Sequence, residues 1–427
     1  MITLSKVNVS IFLMMFFVFV FSARIMTLAD TRVIGFEYIV ALIFYLMVFV
    51  INSLSTRNQF MVRKAYLVIL GFLLLLCLAN YFIVEVPVVR YLQGTFFSFL
   101  FAIHFVLYYN VRFTVPDFYF ILRAIVLIIT VIGIMIFAER LLIDGTYQSY
   151  SLRGVKSLAK DSAFAATLLN INIIFSLILY QMRKKKLYLF LVLFSFLTIA
   201  MLLFIKALFV AIIICIAYVL VFMRGIVSKY IVNAMLLFFV AGITFFGKPI
   251  WDDIVYKANM YFGPGYEKIP RNALYLASFE IAKDYFPFGS GQGTFGSYPV
   301  GMHYSQIYYD YDLNKVHGLS PDDALGKTDS HFIFDTYWSS IIGEMGFIGF
   351  FLYLLIWFYP AIVAVFYLRS QTLEVRVIAF GVVMVMLCVF IESIASPLPG
   401  QLQFIHIYSG LGAVGCRLCR GMTFNTQ

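Results

Sequence analysis

The feature that most limits what this chain can become is a recurring apolar stretch of about 20 residues, the length a helix needs to cross the hydrocarbon of a bilayer. About twelve such stretches follow one another, at 7–23, 34–53, 65–86, 91–109, 118–138, 161–181, 187–204, 207–223, 230–246, 337–367, 376–395 and 400–416. Only 12% of residues are charged and 63% are hydrophobic, whereas a soluble domain carries roughly a quarter charged residues. No water-soluble fold hides that much apolar surface. A cytosolic enzyme, a secreted disulfide scaffold and a nucleic-acid-binding domain are thereby excluded. The expected fold class is an all-α, polytopic integral membrane protein with about 12 transmembrane helices.

Orientation follows from Lys and Arg in the short loops. With the N-terminus in the cytoplasm, the inside loops collect Lys6, Arg57, Arg63, Lys64, Arg112, the run Arg183 to Lys186, Arg224, Lys229, Arg369, Arg376, Arg417 and Arg420, and Arg123 can snorkel to the same side. The only acids there are Asp117 and Glu374. The formal net charge of +10 is therefore an orientation signal rather than a footprint for nucleic acid. Both termini fall in the cytoplasm. Cys416 and Cys419 form a C-x-x-C without a second pair, which does not make a zinc site.

One loop stands apart. Residues 1–246 carry the first nine expected helices, residues 247–336 form a large loop on the outer side, and residues 337–427 hold the last three helices and a cytoplasmic C-terminus. Within the loop, NALYLASFEIAKD at 272–284 places Leu274, Ala277, Phe279, Ile281 and Ala282 close to one helical stripe. Pro270 precedes it, and Pro287 and Gly289 follow, as helix punctuation should. The spacing predicts an amphipathic helix on the membrane boundary.

Several residues have the chemistry to do more than span. Lys206 interrupts LLFIKALFV between two helices, where it either snorkels or meets an anion. Arg271 opens the loop helix and Arg153 lies in the other outer loop. Arginine suits phosphate oxygens, and each equally suits anchoring to lipid headgroups. Gly289, Gly291 and Gly293 make a G-x-G-x-G run, either a tight turn or a turn that offers backbone N–H groups to an anion. Asp329, His331, Asp335 and Glu344 cluster at the start of the tenth expected span. Any of them has the type of side chain that takes a proton from a hydroxyl. Glu344, well inside an apolar span, is expected to face a cavity or a partner. His104, His406, Glu392, Asn170 and Asn172 are read as interhelical hydrogen-bonding groups. The loop tyrosines, Tyr298, Tyr304, Tyr308, Tyr309 and Tyr311, either stack on sugars or form an interfacial aromatic belt. No tight His spacing suggests a metal, and no cofactor is expected.

In the order and placement of these motifs the chain resembles the bacterial O-antigen polymerase and O-antigen ligase superfamily. The resemblance covers the whole topology, about twelve spans with one large periplasmic loop late in the chain. An Arg opening a loop helix, followed by a Pro-hydrophobic-Gly-x-Gly-x-Gly-x-Phe segment, corresponds to Arg271 and FPFGSGQGTF. Gly-Glu-x-Gly entering a span corresponds to GEMGFIG at 343–349, a basic residue between central spans to Lys206, and an Arg-Gly pair to Arg153 and Gly154. Ligases carry His-Asn after the loop, whereas Phe332 follows His331 here, and the Asp-x-x-Trp of Asp335 to Trp338 is closer to the polymerases.

The resemblance implies a metal-independent glycosyltransferase in the bacterial inner membrane with its active face in the periplasm. Its donor is an undecaprenyl-diphosphate-linked oligosaccharide, and its pathway partners are a chain-length regulator and a flippase. Arg271, Lys206 and Arg153, with the Gly291 and Gly293 amides, would hold the diphosphate. Glu344, Asp329 and His331, in that order, would serve the acceptor hydroxyl, and Tyr304 and Tyr308 would stack on sugar. The rival readings are a ligase with lipid A core as acceptor and, in a different class, a lipid-linked oligosaccharide flippase. The orientation has a direct check. A reporter active only outside the cytoplasm is expected to be active when inserted at position 300 and silent when fused at the C-terminus, and the reverse pattern would invert the topology.

Overall fold

The structure is a computed structural model that describes residues 4–28, 36–55, 62–84, 86–143, 162–202, 204–223, 255, 259, 263, 265–324, 332–394 and 396–424. Among these residues there are helices and no strands. The N-terminal helices are α1 (Leu4–Leu28), α2 (Phe36–Ser55), α3 (Lys64–Ile83), α4 (Val88–Asn110) and α5 (Val115–Ile143). They are followed by α6 (Ser162–Arg183), α7 (Lys186–Met201), α8 (Ile205–Phe222) and the loop helix α9 (Pro270–Asp284). The C-terminal part holds α10 (Tyr337–Trp357), α11 (Tyr359–Val365), α12 (Leu373–Ser393) and α13 (Gly412–Phe424). Among the described residues, seven helices, α3, α4, α5, α6, α8, α10 and α12, are long and apolar enough to cross a membrane. Three shorter apolar stretches lie in α1, α2 and α7. The ninth expected span, 230–246, lies outside the described residues, as do Arg153, Asp329 and His331.

Helix faces divide as a bilayer demands. On α3, Val68, Phe72, Leu75, Leu78 and Phe82 recur every three or four residues and are exposed, while Tyr66, Leu73, Cys77 and Asn80 turn inward. An exposed apolar stripe at that period is a face for lipid tails. By contrast α6 is buried on nearly all sides and forms the bundle's centre, packed on α5, α7, α8 and α12. With lipid outside, apolar burial gives little drive for helices to associate, so polar side chains join them. Asn172 of α6 donates to Ser195 Oγ of α7 at 2.9 Å. Tyr45 of α2 and His104 of α4 share a 2.7 Å hydrogen bond. His406 Nε2 donates to the Phe12 carbonyl of α1 at 3.0 Å. The intramembrane His and Asn residues thus take the interhelical role that their sequence positions suggested.

The large loop is more than a boundary helix. Leu274, Ala277 and Ile281 of α9 pack with Phe295, Val300, Ile307, Tyr308, Leu313, Leu319 and Ile333 in a hydrophobic core separate from that of the bundle. The loop therefore folds as a small cap over one end of the bundle, with α9 lying along α10. Phe279, assigned to the apolar stripe from sequence, is instead 52% exposed; it sits off the arc formed by positions 274, 277 and 281.

The expected span 337–367 is interrupted twice. Pro360, which has no N–H to continue the ladder, lies in the first turn of α11. Inside α10, Gly346 leaves the helical region at φ 65°, ψ −178°. Freed carbonyls at membrane depth must find donors within the protein. Here the Ser290 N–H donates to the Gly343 carbonyl at 2.9 Å and the Gly291 N–H to the Glu344 carbonyl at 3.1 Å. The close approach requires glycine: a Cβ on Gly289, at φ +78°, would stand 2.4 Å from the Gly346 nitrogen. Gly289→Ala is expected to destabilise the protein by about 2–4 kcal/mol, read as a lowered melting temperature in detergent. Gly71→Ala, where nothing lies within 4 Å of the new methyl, should leave it unchanged.

Candidate functional site

Two neighbourhoods gather the residues singled out from sequence. The first is the seam between broken α10 and the turn at 288–297. The Glu344 Oε1 atom accepts the Phe295 N–H at 3.0 Å and the Ser297 hydroxyl at 2.5 Å. On the other side of the turn, Asn80 Nδ2 of α3 donates to the carbonyls of Phe288 at 2.7 Å and Gly289 at 3.0 Å. Arg90 Nε of α4 donates to the Gly293 carbonyl at 2.5 Å, and Ser98 Oγ donates to Gln292 Oε1 at 3.1 Å. Three helices therefore hold one turn by its polar groups.

This geometry revises several expected roles. The glycine turn does present its N–H groups to negative charge, but those bonds go to Glu344 and the carbonyls of α10. Gly291 and Gly293 are buried and hence closed to a substrate phosphate. Glu344 is 1% exposed, with Oε1 of its carboxylate engaged by the turn. It faces a partner, as expected, yet that position suits a latch rather than a base that must meet an incoming hydroxyl. Tyr308 is fully buried in the cap core and accepts the Gly296 N–H at 3.1 Å, so it offers no face to a sugar. Its phenol is pushed upward by burial and stays protonated. Tyr304 is half-buried, and its hydroxyl donates to the Leu319 carbonyl at 2.6 Å.

The second neighbourhood is the C-terminal end of α12, residues 392–396. Lys206, in the first turn of α8, places Nζ 3.1 Å from Glu392 Oε2 and donates to the Glu392 carbonyl at 2.6 Å. A cation at the carbonyl end of a helix is also favoured by the helix dipole. Asn170 of α6 steadies the same carboxylate, donating to Oε1 at 3.3 Å. Ser393 Oγ accepts the Trp338 indole N–H at 2.7 Å, which docks the start of α10. The Ile394 carbonyl accepts the Tyr275 hydroxyl of α9 at 2.7 Å. Burial pushes the Tyr275 phenol up to about 12, so it remains a donor at neutral pH. Arg271 lies one helical turn before Tyr275, on the same face of α9, and its Nε donates to Asp335 Oδ2 at 2.6 Å.

The two cations therefore sit on elements tied to one structural point, the end of α12: Lys206 bonds to it directly, and α9, which carries Arg271, is tied to it through Tyr275. Each already holds a carboxylate. Both retain exposure, with side chains 28% and 34% accessible, whereas Glu392 is fully buried. Lysine has three donors, two of which point to Glu392. Sequence reasoning singled out both cations and missed their fastening. Arg90 was missed as a site residue because a lone Arg just after Pro87 reads as an ordinary boundary cation. In the sequence Trp338 stood out only through the Asp-x-x-Trp pattern, and Tyr275 carried no signal beyond being aromatic near a membrane surface.

In comparisons with known proteins, the chain matches no family model and no curated protein.

The seam yields a direct test. Replacing Glu344 by Ala leaves the Phe295 N–H and the Ser297 hydroxyl without their acceptor, an unpaired-group cost of about 1–3 kcal/mol. Amide exchange across 291–297 should then speed up by roughly 10- to 100-fold, while Glu344→Gln, which keeps an acceptor oxygen, should fall between. Unchanged exchange in the Ala variant would remove the latch.

Proposed function

We propose that this protein is a glycosyltransferase of the surface-polysaccharide polymerase type. It would have about twelve spans and both termini in the cytoplasm of a bacterium, and it would work at the periplasmic face of the inner membrane. Its donor is a glycan on undecaprenyl diphosphate, and its acceptor is a hydroxyl on the next lipid-linked repeat unit. The observation that carries this reading is a pair of partly exposed cations on elements tied to one helix end beneath a folded cap: Lys206 bonded to the end of α12, and Arg271 on α9, whose Tyr275 is bonded to that same end. The resemblance of the ordered motifs to the O-antigen polymerases supports it independently.

The chemistry asks for what these residues supply. The acceptor oxygen bonds to the anomeric carbon as the bond from that carbon to the phosphate oxygen breaks. The lipid diphosphate leaves with the electron pair, and the hydroxyl proton passes to the departing phosphate oxygen or to solvent water. Negative charge grows on the leaving phosphate, so fixed cations lower the barrier. Arginine offers a planar fork and lysine a point charge, a combination suited to a diphosphate. An activated diphosphate donor needs no nucleotide cofactor. A helix end and a cap that already hold both cations reduce the reorganisation required when the donor arrives.

The test is reconstitution of the purified chain with a synthetic lipid-diphosphate-linked repeat unit, read by gel. The expected product is a ladder of repeat multiples with release of lipid diphosphate. Arg271→Ala and Lys206→Ala, each expressed normally, should reduce it by about 100-fold or more. A single transfer appearing only when lipid A core is added would mean a ligase. Lipid scrambling across vesicles without either product would mean a transporter.

A further inference from the structure

On the reading above, Arg271 sits at the outer membrane boundary, where phospholipid headgroups supply a high local concentration of phosphate oxygens. An uncompensated guanidinium there would be occupied by lipid. Its Nε is instead bonded to Asp335 Oδ2 at 2.6 Å, with both side chains partly accessible. The two carboxylates at the site differ in their freedom. Glu392 has no exposure, belongs to the last turn of α12, and is held by Lys206 and Asn170. Asp335 lies on the short turn 332–336 ahead of α10, is 23% exposed, and meets Arg271 from the cap side. Only Asp335 can give way.

We propose that Asp335 is a specificity-determining residue of this site, a resident counter-anion on Arg271 that an incoming diphosphate must displace. The inference rests on the lipid-diphosphate reading above and adds how the site stays clear of bulk lipid. Apparent affinity falls by the fraction of molecules in which Arg271 is released. That factor is the same for every anion, but its consequence is not. A phosphodiester headgroup carries a single negative charge and binds weakly, so the factor removes it from the site. A diphosphate carries more charge than a phosphodiester and still binds. Asp335 also holds the guanidinium in place while the site is empty, so the donor meets a formed site.

The experiment is equilibrium binding to the purified full chain in detergent, with farnesyl diphosphate and dihexanoyl phosphatidylglycerol as probes. Asp335→Asn keeps an oxygen acceptor for Arg271 but removes the competing charge. It should bind farnesyl diphosphate about three- to tenfold more tightly than the wild type and gain measurable binding of phosphatidylglycerol. Arg271→Gln should abolish both. If Asp335→Asn lowers the melting temperature, Asp335→Ser carries the same expectation. Equal or weaker diphosphate binding by these variants, with binding intact in the wild type, would overturn the counter-anion role and leave the transfer reading standing. Failure of the wild type and both Asp335 variants to bind farnesyl diphosphate would overturn the diphosphate site itself.

Discussion

The architecture of the capped end depends on one constraint: a backbone carbonyl released inside a membrane must be given a donor. Gly346 takes α10 out of helical geometry, and the carbonyls of Gly343 and Glu344 accept N–H groups from a turn more than 50 residues earlier. Such a break would be costly in a lone helix. Here it becomes the attachment point of the cap. The Glu344 carboxylate adds a second tie to the same turn, and α9 runs into that turn. The break therefore fixes the helix that carries Arg271.

The other organising point is the end of α12. Four attachments, at Glu392, Ser393, Ile394 and Ser396, involve α8, α10, α9 and α12 itself. A terminus with unpaired carbonyls attracts donors, and the donors here are a Lys and a Tyr. Placing cations by satisfying a helix end achieves two results together. The backbone carbonyls are satisfied, and the Lys206 head stays partly exposed.

Much of this was legible from sequence. An acid in an apolar span had to face a cavity or a partner, and Glu344 meets a partner. A Pro before and a Gly after 272–284 had to bound a helix, and α9 spans Pro270–Asp284. A glycine run had to turn, and Gly289, Gly291 and Gly293 all have positive φ. Partner identity was not legible. The anion met by the glycine turn is an internal carboxylate, because Phe295 and Glu344 are 49 residues apart and no local window joins them. Tyr308 looked like its neighbouring tyrosines, and only the cap's own core buried it. Arg90 looked like a boundary charge, and only the packing of α4 on the turn gave it a backbone acceptor.

The sequence by itself determined that this chain is helical and membrane-embedded, and where its helices are punctuated. Transfer of apolar side chains and pairing of helical backbone are local and nearly additive, so a window of about 20 residues suffices to read them. Only the tertiary structure decided which charges meet. Lys206 and Glu392 are separated by 186 residues, and Arg271 and Asp335 by 64. A Coulomb or hydrogen-bond term belongs to a pair rather than to either residue, and its value is set when the helices carrying the two partners are packed together.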